Sequence, residues 1–118
     1  MQWGAPRQLR GHVGDVMDLA WSNDSNYLVS GSLDGSSILW QIGNNKFSKV
    51  QNLEGHKKFV QGVAIHPNMK MIASASSDAT IRIYKNRKMK NKQEFFHKHT
   101  LKMREEHFPD TAIQSELK

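Results

Sequence analysis

Two sets of residues in this chain hold the parts of a nucleophilic triad at matching spacing. In the first, His12 could act as base, Asp34 could orient it, and Ser30 or Ser32 could attack. The second set, His56, Ser74, Ser76 and Asp78, lies 44 residues further on. Duplication argues against catalysis, because an enzyme rarely needs two identical triads. No G-x-S-x-G elbow exposes a serine, and no glycine-rich turn is placed to make an oxyanion hole. The sequence therefore favours a buried structural network over a catalytic one.

The spacing extends well past these residues. With no gap, an offset of 44 maps Leu9 to Leu53, Gly11-His12 to Gly55-His56, Val16 to Val60 and Ala20 to Ala64. It continues through Ser30, Ser32 and Asp34 to Ser74, Ser76 and Asp78, and it sets Trp40 against Tyr84. Such self-similarity marks a repeat architecture.

Each repeat reads as short strands. Val16–Trp21 and Val60–Ile65 are apolar runs closed by turn formers, Asn23 to Asn26 in one copy and Pro67-Asn68 in the other. Tyr27–Ser32 and Met71–Ser76 follow, then tight turns at Asp34-Gly35 and Asp78-Ala79. Third strands are expected at Ser37–Ile42 and Thr80–Tyr84, and a fourth at Phe47–Leu53. Four strands per repeat is the make-up of one propeller blade. The expected fold is all-β: two four-stranded antiparallel blades and a poorly ordered C-terminal tail. Residues 1–8 would be an end piece, 9–52 the first repeat, 53–85 the second, and 86–118 a basic linker and tail, partly irregular.

These residues resemble WD40 repeats, whose pattern is a Gly-His, an aspartate in a tight turn, and a closing Trp-Asp. His12, Asp34 and Trp40 keep those intervals, as do His56, Asp78 and Tyr84. The closing dipeptide departs from the pattern, since Gln41 follows Trp40 and Tyr84-Lys85 replaces it outright. The resemblance implies a chain of hydrogen bonds from Trp40 to Ser30, His12 and Asp34, and an equivalent one through Tyr84, Ser74, His56 and Asp78. Finer wording is similar to the WD-repeat subunits of chromatin assembly factor, with HIRA-type histone chaperones as near relatives. Gly14 to Trp21 carries it in the first repeat, and His56 to Ala64 with Ile81 to Tyr84 in the second. That family implies a nuclear, non-enzymatic scaffold within histone H3-H4 deposition, coupled to DNA replication or repair. Its partners would be other assembly-factor subunits and histones. A WD40 adaptor of another pathway, such as a ubiquitin-ligase receptor or signalling scaffold, is the alternative.

The remaining polar residues offer weaker chemistry. Asp15 and Asp18 flank the start of the first strand and are partner-binding candidates; Gly62 replaces Asp18 in the second copy, so the fold does not demand that carboxylate. Lys57 and Lys58 follow the second Gly-His. Lys85, Arg87, Lys88, Lys90 and Lys92 put five positive charges in eight residues, a solvated linker or a polyanion or import patch. No aromatic is interleaved for base stacking, so sequence-specific nucleic-acid reading is not expected. His97, His99 and His107 are read as surface histidines rather than a metal trio. Trp21, aligned with Ile65, is expected in the core, and Trp3 at an exposed end.

Composition bounds the rest. The chain has 118 residues, 17 Lys and Arg against 11 Asp and Glu, and no cysteine, which excludes disulfides and thiolate chemistry. Most of the excess charge lies beyond residue 84. No run approaches the roughly 18 apolar residues of a spanning helix. No cofactor, small-molecule substrate or membrane is expected. Two blades cannot close a ring, since propellers need about four to eight. The sequence is thus expected to be part of a longer propeller. Residues 86–118 hold only weak signals: one strand around Phe95-Phe96 and Leu101, and a helical turn within Asp110–Lys118.

Overall fold

A computed structural model describes residues 6–87 and 93–102. Trp3, Lys88, Lys90, Lys92, His107 and the helical turn expected within Asp110–Lys118 lie outside them. The described chain forms eight strands: β1 (Val16–Trp21), β2 (Tyr27–Ser32), β3 (Ser37–Gln41), β4 (Ser48–Leu53), β5 (Val60–Ile65), β6 (Met71–Ser76), β7 (Thr80–Asn86) and β8 (Phe95–Lys102). They make two four-stranded antiparallel sheets, ordered β1-β2-β3-β4 and β5-β6-β7-β8, as two neighbouring blades of a propeller would.

The turns explain where strands stop. After β1, the Asp24 carboxylate accepts the Ser22 hydroxyl at 2.7 Å and the Asn26 N–H at 3.0 Å, closing an Asx turn. After β5, His66 Nδ1 accepts the Asn68 N–H at 3.1 Å. Ser25 and Met69, 44 residues apart, both take positive φ, 61° and 62°. The Asp-Gly turn is a three-residue loop, Leu33 to Gly35, with Gly35 at φ 88° and Ala79 at φ 66° in the second copy. Phe47, expected to open the fourth strand, sits at φ 48°, so β4 begins at Ser48.

The repeat also preserves its irregularities. Register slips by one residue at Met17 in β1 and at Gln61 in β5, a bulge in the same place in both blades. The second fourth strand departs from the common offset. Trp40 pairs with Lys49, while Tyr84 pairs with His97, a step of 48 residues rather than 44. Thus β8 completes the second sheet from the stretch assigned by sequence to linker and tail, and the second blade runs past residue 85 to Lys102.

Pairing also fixes which side chains share a face. Trp21, Leu28 and Trp40 stand side by side on one face of the first sheet; Ala20, Val29 and Leu39 occupy the other. The latter packs on the second sheet, where Val29, Leu39 and Leu53 share one core with Met69, Ile72, Tyr84 and Phe95. Gly31 permits this approach, because a Cβ there would fall 2.6 Å from a methyl of Val60 and 2.9 Å from one of Val63. Leu28, Ile38 and Trp40 form a smaller cluster with Leu9 and Ile42 on the far face. Trp21 is on that far face and is 53% exposed, not in the core as its alignment with Ile65 suggested. The alignment is sound, but Ile65 faces the other sheet and Trp21 faces none among the described residues.

Candidate functional site

The histidine of each repeat enters on the loop before the first strand and meets groups from β2 or β6 and from the turn that follows. His12 Nε2 lies 2.7 Å from the Ser30 hydroxyl, and His12 Nδ1 lies 3.1 Å from Asp34 Oδ2. Trp40 Nε1–H donates to the same Ser30 oxygen at 2.8 Å. Satisfying every donor gives one direction: Trp40 N–H to Ser30, Ser30 O–H to His12 Nε2, His12 Nδ1–H to Asp34. In the second blade His56 lies 2.8 Å from the Ser74 hydroxyl and 3.1 Å from Asp78 Oδ2. The His-Ser-Asp members named from sequence are therefore brought together in both blades.

Tyr84 departs from the expected chain. Its hydroxyl donates to the Glu54 carbonyl at 3.2 Å and accepts Arg82 Nε–H at 2.9 Å, leaving Ser74 without an aromatic donor. The cause is where the donor sits on the ring. An indole N–H projects from its side, level with the serine, whereas a phenol carries its hydroxyl at the tip. Arg82 occupies the place of Ile38, and its guanidinium lies 5.6 Å from the Tyr84 ring centroid.

Each brace has one further side chain beyond the His-Ser-Asp set. Ser36 donates its hydroxyl to Asp34 Oδ1 at 2.6 Å, and its N–H bonds the same oxygen at 2.8 Å. Thr80, 44 residues on, engages Asp78 Oδ1 in the same two ways. Their signal was a hydroxyl residue two places after each turn aspartate. Ser32 and Ser76 receive the N–H of Asp34 and Asp78 at 3.1 Å, and Ser76 donates to the Phe59 carbonyl at 2.9 Å. The aspartates also accept the N–H of Val13 and Lys57, both at 3.0 Å, which anchors the incoming loop.

Burial opposes ionisation of Asp34, but Ser36, the Val13 N–H and His12 outweigh it and hold the carboxyl well below its ordinary value. Asp78 is held low in the same way, with Thr80, the Lys57 N–H and His56 overcoming the cost of burial. Both turn aspartates therefore ionise more readily than free ones. These donors all belong to the same blade as the aspartate they bond, so the charge is engaged within the blade.

The other candidates fall at two ends of the sheets. Asp15, Lys57 and Lys58 are exposed at the end where β1 and β5 start, beside the exposed apolar residues Val13, Leu33 and Phe59. Lys85 and Arg87 lie at the opposite end, with Arg87 stacked 4.9 Å from the Phe96 ring. Asp18 is half-buried, and its Oδ2 accepts the Val63 N–H of the second sheet at 3.0 Å. His97 pairs with Tyr84 and His99 with Ile83, so the two imidazoles project from opposite faces of β8. Among the described residues no three metal-ligating side chains come together.

The CAF1B/HIR1 beta-propeller domain matches residues 1–115. The chain is 47% identical over 104 residues to the chromatin assembly factor 1 subunit FAS2 homolog of Oryza sativa subsp. japonica, covering 84% of this chain and 20% of that relative. It is 40% identical over 82 residues to a chromatin assembly factor 1 subunit of Gallus gallus, covering 70% and 14%. Against protein HIR1 of Phaeosphaeria nodorum the identity is 41% over 83 residues, covering 70% and 8%. The chain thus spans a fifth or less of each relative's length. With two antiparallel four-stranded blades and a family match over nearly its whole length, this chain belongs to the CAF1B/HIR1 β-propeller family.

Proposed function

We propose that this chain supplies two blades of a non-catalytic, nuclear scaffold that works within histone H3-H4 chaperone assemblies during replication- or repair-coupled chromatin assembly. The observation that carries this reading is the family match over residues 1–115, with relatives named as chromatin assembly factor subunits and HIR1. The braces give it a physical basis. Ser30 is 3% exposed and its oxygen already accepts the Trp40 N–H, which favours a structural role over a nucleophilic one. The same bonds hold the loop end of the blades in a fixed shape. There Val13, Leu33 and Phe59 stand exposed beside Asp15, Lys57 and Lys58, the mixture of apolar and charged groups on which protein partners dock.

Affinity purification of the full-length gene product tests the reading. Histones H3 and H4 should co-purify with it, together with a large assembly-factor subunit. Recovery of ubiquitin-ligase or signalling components without histones would support the adaptor reading instead. Catalysis has its own test: turnover of a reporter ester that vanishes in Ser30→Ala would overturn the scaffold assignment.

A further inference from the structure

We propose that the outer edge of β8 is a docking strand for an extended acidic peptide segment of a partner protein, which adds to the second sheet as a fifth strand. This goes beyond the chaperone reading and does not depend on it. Strand β8 runs for eight residues, and among the described residues it pairs with β7 alone. Its outward backbone groups are therefore a template for another chain.

The protein itself shows what this edge accepts. At Phe95, the first residue of β8, the Gln51 side-chain amide donates to the carbonyl at 2.6 Å and accepts the N–H at 2.8 Å. A single side chain from the first sheet thus imitates one rung of a neighbouring strand. Beyond Phe95 no described side chain takes up the backbone of His97–Lys102. Among the described residues the template is occupied at one end and open along the rest, with one bulge at Lys98.

Charge selects the occupant. His97, Lys98, His99, Thr100 and Lys102 are exposed on this strand. From Arg82 to Lys102 the sequence holds eight Lys and Arg against one acid, Glu94. The ion pairs among the described residues are His12–Asp34 and His56–Asp78, so no carboxylate within the described fold neutralises Lys98, Lys102 or Arg82. Lysines on an edge repel a second copy of the same strand and attract one that carries acids. A nucleic acid would satisfy the charges, but it has no amide ladder to offer the edge. The exposed run from His97 to Thr100 also presents no Phe, Tyr or Trp on which a base could stack.

The test uses the full chain and a fluorescent peptide that alternates glutamate with valine, followed by anisotropy. Binding is expected, and a matching peptide with lysine for glutamate should not bind. N-methylation of the alternate peptide amides that face the edge should weaken binding about tenfold or more, while methylation of the other alternate set should leave it unchanged. Lys98→Glu combined with Lys102→Glu should weaken binding about tenfold. Both side chains are exposed, and circular dichroism would check that the variant keeps its sheets. Three results would overturn the proposal: no binding of the parent peptide, equal binding of the two methylated peptides, or an oligothymidylate of equal charge binding as tightly and displacing the peptide.

Discussion

Asp18 of β1 reaches across the seam between the two sheets, where its Oδ2 accepts the Val63 N–H of β5 at 3.0 Å. Val63 itself packs against the core shared by the blades. Gln51 makes the corresponding link near the outer rim, holding Phe95 of β8. Each sheet is internally complete in its strand pairing, and among the described residues these two side chains supply the hydrogen bonds that join the sheets beside their shared apolar core. The second repeat has Gly62 in the place of Asp18, so this link belongs to one seam rather than to the fold in general.

Replacing Asp18 with alanine leaves the Val63 N–H without its partner in a half-buried seam. We expect a loss of about 1–2 kcal/mol, read by urea denaturation of the full chain. Asp18→Asn keeps an acceptor oxygen and should lose less. Equal losses in the two variants would show that the hydrogen bond contributes nothing there.

Ala79 stands at φ 66° where the first blade has a glycine, Gly35, at φ 88°. Ala79→Gly removes the Cβ conflict and should stabilise the chain by about 0.5–1 kcal/mol, after the entropic cost of glycine. Gly35→Ala should destabilise it, since its Cβ would also meet the carbonyl oxygens of His56 and Lys58 at 3.2 Å. Thermal melts of both variants check the pair, and a drop in melting temperature for Ala79→Gly contradicts the reading of the turn.

The turn aspartates make stability depend on acid. Both are held below the ordinary aspartate value of 3.8 in the folded chain, so unfolding releases them to bind protons more readily. Their contribution is complete at neutral pH and is lost progressively as pH falls below about 5. Burial holds His97 below its ordinary value, which gives a shallow decline of the urea midpoints below about pH 6.5, and the aspartates add a much steeper drop below about pH 4. In the double variant Asp34→Asn with Asp78→Asn, that acid slope should flatten. An unchanged slope would place the responsible carboxylates elsewhere.

Much of this was legible in the sequence. Val16–Trp21, Tyr27–Ser32, Val60–Ile65 and Met71–Ser76 form strands with the expected bounds, because Asn, Asp, Pro and Gly end each apolar run. The meeting of His12, Ser30 and Asp34 was visible because polar residues repeated at one offset. β8 was harder to see, since four extra residues before it break the offset that identified its counterpart. The exposure of Trp21 depends on whether a neighbouring sheet lies beside it, and no local pattern carries that information. The sequence marks Asp18 as a carboxylate at a strand start, but its role needs Val63, 45 residues away and on another sheet. The Tyr84 departure is readable only with Arg82 beside it, where two substitutions act together.

Whether Ser30 holds the blade together is tested most directly by equilibrium denaturation of Ser30→Ala. The substitution removes the one oxygen shared by His12 Nε2 and the Trp40 N–H, both within the fold. A structural brace predicts a loss of roughly 1–3 kcal/mol, the cost of buried groups left without partners. A variant as stable as the parent chain would contradict it.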